Sequence, residues 1–164
     1  MKAILAAALL LAAGPALAQT PAPADWTTLR LTAEIARPAA VAWKAIGGDD
    51  WCGIANYLDV TCRIDSGDGG LGSLRTINGA LVEIAVARTP LSYTYAQPFT
   101  PIFYHGTLAV EPVDAGHSRL VYTLIWNQNA LPDAKARADA YNGRKARFQA
   151  AVDKMAAAAN KVAP

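Results

Sequence analysis

The feature that most constrains this chain is a change of hydrophobic period at Pro132. Upstream, residues 26–127 carry short stretches in which apolar and polar residues alternate, as they do in strands with one buried face. Downstream, apolar residues recur at spacings of three, four and seven from Ala134 to Ala159, the pattern of one long amphipathic helix. Strands grouped before a single helix predict an α+β domain.

The first elements are predicted from alternation and capping residues. Residues 26–36 alternate strictly and predict a strand. Two short helices should follow, one at residues 39–46 and a second that Asp49 or Asp50 caps and that runs to Asn56. The whole chain is therefore predicted to have about seven strands, with two short helices after the first strand and the long helix at the end.

The clearest local signal is Asn78-Gly79, which lies between two alternating runs and predicts a hairpin with a type I′ turn. A strand through Leu58, Val60 and Cys62 should precede it, with a glycine-rich turn between them. Further strands are predicted at residues 91–96, 104–111 and 118–127. Within the long helix, Gly143 should interrupt the pattern and Lys145 falls on the apolar stripe.

The N-terminus has the composition of a secretory signal peptide. Lys2 precedes an apolar run, and Ala16-Leu17-Ala18 provides small residues before Gln19. We therefore expect a signal peptide at 1–18, cut after Ala18, a flexible Pro/Ala tether at 19–25, and a ligand-binding domain at 26–164. The product should be periplasmic or secreted. No later run has the length of a membrane span, so stable membrane insertion is not expected.

Cys52 and Cys62 are the only cysteines in the sequence. In an oxidising compartment an even count favours one disulfide, which would have a structural role. The alternative is two buried, unpaired cysteines that act as small hydrophobic residues. His105 and His117 do not lie at ligand spacing from either cysteine, so no metal site is predicted.

The charge balance and the motifs narrow the function further. The chain has 15 basic and 13 acidic residues and a formal net charge of +2, so nucleic-acid binding is not expected. It lacks a dinucleotide fingerprint, a nucleophile elbow and a zinc-protease motif, and we predict no cofactor. The sequence leaves an enzymatic activity open but favours a protein that is not an enzyme, and it does not determine the oligomeric state or any oligomeric partner.

The order and spacing of several short motifs resemble those of the START/Bet v 1-like helix-grip superfamily, also called SRPBCC, of the polyketide cyclase/dehydrase and lipid transport type. The motifs are Ala42-Trp43, Trp51-Cys52, Leu74-Arg75-Thr76, Val82-Glu83, Tyr93-Thr94-Tyr95 and Tyr104-His105-Gly106. The resemblance implies a curved antiparallel sheet wrapped on the long C-terminal helix. It also implies a cavity for a small hydrophobic, aromatic or lipid-like ligand, in proteins that bind, carry or cyclise it.

Strand parity places Glu83 on the concave face, where it would be a ligand anchor, a general acid/base, or half of a structural pair with Arg75. His105 should point outward, and His117 should be exposed. The candidate ligand-binding residues are Arg75, Glu83, Tyr93, Tyr95, Tyr104, Tyr122, Trp126 and Phe148. The cavity mouth should lie at residues 77–80 and 97–102.

Three functions remain open from the sequence. The first is an exported protein that holds a hydrophobic ligand between the sheet and the C-terminal helix. The second is a cyclase or isomerase that uses Glu83 with Tyr104 or Arg75. The third is a ligand-free envelope accessory protein whose cavity is filled by its own side chains.

Overall fold

The structure is a computed structural model that describes residues 24–163, so the predicted signal peptide at 1–18 and residues 19–23 of the predicted tether lie outside the described residues. The strands are β1 (Trp26–Ile35), β2 (Cys62–Ser66), β3 (Leu74–Ile77), β4 (Leu81–Thr89), β5 (Ser92–Ala96), β6 (His105–Pro112) and β7 (Ser118–Asn127). The helices are α1 (Ala39–Ala45), α2 (Ala55–Leu58) and α3 (Ala134–Lys161), and a 3₁₀ helix covers Gln128–Ala130.

The strands form one antiparallel sheet in the order β1-β7-β6-β5-β4-β3-β2. β1 and β2 are consecutive in the chain but lie at opposite edges of the sheet, and α1 and α2 connect them. α3 packs its buried face against the inner side of the sheet. This arrangement confirms the predicted helix-grip architecture, with a curved sheet, two short helices after the first strand and a long C-terminal helix.

The Asn78-Gly79 hairpin is present as predicted. Both residues have positive φ, 51° at Asn78 and 68° at Gly79, as a type I′ turn requires. The turn is also tied to the neighbouring edge, because Asn78 Oδ1 accepts a hydrogen bond from the Thr61 amide at 2.9 Å. The hairpin thus fixes the register of β3 against β4.

The predicted second helix and the strand after it are shifted. Asp50 accepts a hydrogen bond from the Cys52 amide at 2.8 Å, but this contact caps a turn and the helix begins only at Ala55. Leu58 ends that helix, so the strand predicted through Leu58 and Val60 begins instead at Cys62. The chain reverses at Asp59, whose φ is 54°.

The long helix is continuous through Gly143, contrary to the predicted interruption. Its N-terminus is capped by Asp133, whose side chain accepts a hydrogen bond from the Ala136 amide at 2.7 Å. Lys145 is exposed rather than on the inner stripe, and the half-buried charged residue on that side is its neighbour Arg144. The predicted stripe is confirmed from Phe148 to Ala159, because its members there are buried, whereas the charged residue was misassigned.

The predicted disulfide joins Cys52 to Cys62, with their Cα atoms 5.6 Å apart. It links the turn before α2 to the first residue of β2 and so fixes α2 beside the edge of the sheet. A loop of this length should contribute about 2–3 kcal/mol to stability, mainly by restricting the unfolded chain. Within residues 24–163, no helix is long and apolar enough to cross a bilayer.

Candidate functional site

A pocket of about 490 Å³ lies between the inner face of the sheet and the first half of α3. Its aliphatic lining comes from α2 and the residues that flank it, from the β3–β4 hairpin, from the loop after β5 and from α3. The aliphatic lining residues are Ile54, Leu58, Val60, Ile77, Leu81, Ile102 and Ala140. The polar, aromatic and glycine lining residues are Arg75, Glu83, Tyr95, Gln97, Thr100, Tyr104, Tyr122, Asp139, Gly143, Arg144, Arg147 and Phe148.

A buried ion pair forms one wall of the pocket. Arg75 on β3 and Glu83 on β4 are direct cross-strand partners, and only 1% and 4% of their surfaces are exposed. Arg75 Nε and Nη2 both lie 2.7 Å from Glu83 Oε2. Gln97 Nε2 donates to the other carboxylate oxygen at 2.8 Å. Both oxygens of Glu83 therefore accept hydrogen bonds from the protein itself.

Aromatic rings surround the Arg75 guanidinium. Its carbon lies 4.5 Å from the centre of the Trp51 ring and 4.9 Å from that of Tyr95, and Nη1 donates to the Trp51 carbonyl. Burial acts to lower the pKa of Arg75, but the Glu83 carboxylate and the tyrosines outweigh it and raise the pKa overall. Arg75 is thus a fixed cation whose partners are mostly supplied by the fold.

The tyrosines of the inner face are neutral hydrogen-bonding groups. Tyr95 and Tyr122 share a hydroxyl–hydroxyl hydrogen bond of 2.8 Å, and burial raises the pKa of both well above the usual value. Burial also raises the pKa of Tyr104, whose buried hydroxyl has no hydrogen-bond partner among the described residues. Tyr104 is therefore a buried polar group in the pocket lining whose hydroxyl has no partner among the described residues.

The structure does not place Tyr93 or Trp126 in the pocket lining, although both are candidate ligand-binding residues. Tyr93 packs edge-on against Trp43, with ring centres 5.9 Å apart, and belongs to the core. Trp126 packs against Tyr141 on α3. The other candidates, Arg75, Glu83, Tyr95, Tyr104, Tyr122 and Phe148, all line the pocket.

Sequence reasoning missed several lining residues, notably Gln97, Arg144 and Arg147. Gln97 lies at the start of a loop, where alternation no longer predicts which way a side chain points. Arg144 lies three residues after Tyr141 and four before Phe148, so it fits the predicted stripe, but the prediction assigned the charged position to Lys145. The helical spacing fits Arg144 and Lys145 equally, and it gives no signal for Arg147.

The mouth lies near the predicted loops but is not built from all of them. Ile77, Thr100 and Ile102 line the pocket, whereas Ala80 does not. Gly143 on α3 borders the opening, and a Cβ atom built there would meet no atom within 4 Å. The helix therefore supplies one side of the entrance.

The histidines lie away from the pocket, as expected. His105 lies on the outer face of the sheet beside Trp26, with ring centres 6.0 Å apart, and the exposed His117 contacts Asp114. Within the described residues, no cluster of three or more His, Cys, Asp or Glu side chains could hold a metal ion.

Solved structures with this fold include a Zhui aromatase/cyclase from a Streptomyces species. The likeness covers 84% of this chain and 95% of that protein, with a TM-score of 0.66 and 17% identity. Ara h 8.0201 is similar over 81% of this chain and 99% of its own, with a TM-score of 0.56 and 16% identity. A protein from Nitrosospira multiformis is similar over 80% of this chain and 94% of its own, with a TM-score of 0.61 and 17% identity. Likeness at such identities establishes the fold alone.

The sequence itself places the chain in a family. No curated protein matches it. The family model described as polyketide cyclase / dehydrase and lipid transport matches residues 27–160, which include the sheet and nearly all of α3. The match confirms the resemblance of the short motifs to the START/Bet v 1-like superfamily. The chain belongs to the polyketide cyclase/dehydrase and lipid transport family.

Proposed function

We propose that this protein binds a small hydrophobic or aromatic molecule in the pocket between the sheet and α3. The observation that carries the proposal is a pocket of about 490 Å³ whose walls are largely aliphatic and aromatic. This volume lies within the range of small-molecule sites, which combine apolar walls with a few polar groups. A pocket of this size argues against the accessory function, which required side chains to fill the cavity.

The cyclase or isomerase function is the second candidate, and one observation favours it. The Tyr104 hydroxyl is unpartnered, and its raised pKa keeps it protonated, so it is suited to donate to a ligand carbonyl. Glu83 is less suited to acid/base work, because its two oxygens already accept hydrogen bonds from Arg75 and Gln97. We therefore place binding ahead of catalysis.

Binding can be tested with the neutral dye N-phenyl-naphthylamine, whose fluorescence rises in apolar surroundings. The wild-type protein should bind it, and Gly143→Trp should weaken binding by about tenfold or more, since the indole displaces apolar contact area at the mouth. The matched control is Asn142→Trp, at an exposed neighbouring position outside the lining. Absence of dye binding by the folded wild-type protein would refute the proposal.

We also propose that the protein acts in the periplasm or outside the cell. Support comes from the signal-like composition of residues 1–18 and from the Cys52–Cys62 disulfide, which an oxidising compartment maintains. Intact mass spectrometry of protein purified from its own cells should give a chain that begins at Gln19. A full-length chain with reduced cysteines would contradict export.

A further inference from the structure

The rim of the pocket carries positive charge that the protein does not neutralise. Arg75 and Glu83 form an ion pair at 2.7 Å, and the Asp139 carboxylate is paired with a lysine on its own helix at 2.6 Å. The other charged lining residues are Arg144 and Arg147. Among the described residues, neither of these two arginines forms an ion pair.

Elsewhere on α3, Lys145 and Lys161 also form no ion pair among the described residues, but both are exposed and lie outside the pocket lining. Several other cations of the helix pair with carboxylates: Lys135 with Asp139, Arg137 with Asp25, and Lys154 with Asp59. The fold thus supplies acidic partners to these cations but none to the two that line the pocket.

Both guanidinium groups are nevertheless held in place. Arg144 lies over the rings of Trp126 and Tyr104, 4.7 Å and 5.7 Å from their centres, and donates to the Ala140 carbonyl at 3.1 Å. Arg147 donates to the Leu58 carbonyl at 3.2 Å, at the end of α2. A guanidinium has five N–H donors, so several donors on each group are left for a ligand.

We propose that the ligand is an amphipathic acid, with an apolar body in the pocket and an anionic oxygen group, carboxylate or phosphate, held by Arg144 and Arg147. The inference rests on the proposed binding function and adds the chemical class of the ligand. Guanidinium groups match such oxygens by paired, charge-assisted hydrogen bonds. Burial lowers the pKa of Arg144, and a bound anion would offset that penalty on its charge.

Two dyes with the same apolar body test this proposal. Anilinonaphthalene sulfonate carries an anionic oxygen group, and N-phenyl-naphthylamine carries none. The wild-type protein should bind the sulfonate about tenfold tighter or more, and added salt should reduce the preference. Arg144→Gln and Arg147→Gln should each weaken sulfonate binding by about tenfold, and each should weaken neutral-dye binding by a smaller factor.

Lys145→Gln is the matched control, because Lys145 is an exposed cation of α3 outside the pocket lining and its loss should leave both dyes unaffected. If the neutral dye does not bind, the proposed function itself fails. If it binds but the sulfonate shows no preference, or the arginine variants behave like Lys145→Gln, the amphipathic-acid proposal alone is overturned. Arg147 is exposed, so its variant keeps the test valid even if Arg144→Gln unfolds.

The source of the anionic group can be identified by displacement of the neutral dye. A long-chain carboxylate and an alkyl phosphate of equal chain length should both displace it more effectively than the matching alcohol. Stronger displacement by the carboxylate would indicate a fatty or aromatic acid, and stronger displacement by the phosphate would indicate a phosphorylated lipid. Equal displacement by all three would overturn the proposal.

Discussion

The two halves of α3 face the same sheet but enclose different interiors. In the C-terminal half the inner face is made of small or aliphatic residues, all buried: Ala151, Val152, Met155, Ala156 and Ala159. In the N-terminal half the inner face borders the pocket with Ala140, Gly143, Arg144, Arg147 and Phe148. The C-terminal half therefore belongs to a closely packed core, and the N-terminal half borders the pocket.

Small residues explain the close packing of the C-terminal half. Alanine lets a helix backbone approach the sheet closely, so Ala151 and Ala159 have no exposed surface at all. α3 is one continuous helix whose contacts with the sheet are mainly with β1 and β7. At the end with Gly143 and Arg144, the pocket separates α3 from β3 and β4. The buried ion pair between Arg75 and Glu83 lies in this part of the pocket wall.

The largest effect should come from breaking the ion pair at the open end. Glu83→Gln keeps the shape of the side chain but leaves Arg75 as a buried cation without a counter-charge. We expect unfolding free energy, measured in urea, to fall by about 3–5 kcal/mol. The double variant Arg75→Met with Glu83→Leu should recover most of that loss, since it removes both charges. A loss below about 1 kcal/mol for Glu83→Gln would mean that the pair is solvated.

At the closed end the cost should come from a cavity instead. Met155 is fully buried, and Met155→Ala should lower the unfolding free energy by about 3 kcal/mol. Binding of the neutral dye should stay within about twofold of wild type, because Met155 lies outside the pocket lining. Loss of dye binding by this folded variant would show that the two ends are not independent.

Alkaline pH should destabilise the whole inner face through its tyrosines. Burial raises the pKa of Tyr93 from 10.0 to about 12, so the folded state holds this proton more tightly than the unfolded chain. The resulting stability is fully present below pH 10.0 and is lost as the pH rises towards about 12. Tyr93 alone should account for about 3 kcal/mol of this loss.

Urea unfolding at several alkaline pH values measures the effect, and Tyr93→Phe should reduce it. The Tyr93 hydroxyl has no hydrogen-bond partner among the described residues, so this variant should be close to neutral at pH 7. An unchanged alkaline slope in Tyr93→Phe would assign the loss to the other buried tyrosines.

Local patterns predicted what depends on local chemistry. Alternation predicted β1, the Asn78-Gly79 pair predicted the hairpin, and an even cysteine count together with the expectation of export predicted the disulfide. The start of α2 was misplaced because Asp49 and Asp50 favour any turn as well as a helix N-terminus.

The limits of the site could not be derived in the same way. Tyr93 and Tyr95 share one face of β5, yet only Tyr95 lines the pocket, since its extent depends on where α3 stands away from the sheet. The contact of Arg147 with the Leu58 carbonyl likewise joins distant parts of the chain. Such features depend on tertiary packing, which no short pattern encodes.

The smallest effect should distinguish a glycine at the open end from one in the packed interior. Gly143→Ala should raise the unfolding free energy by about 1 kcal/mol, because alanine favours the helix and its Cβ would meet no atom within 4 Å. Gly106→Ala makes the same chemical change opposite Tyr95, where the Cβ would overlap the tyrosine ring and force it away from Tyr122. It should therefore destabilise the protein in the same urea experiment. If both substitutions stabilise the protein, or if neither does, the two glycines do not differ in the way that the open and packed parts of the interior predict.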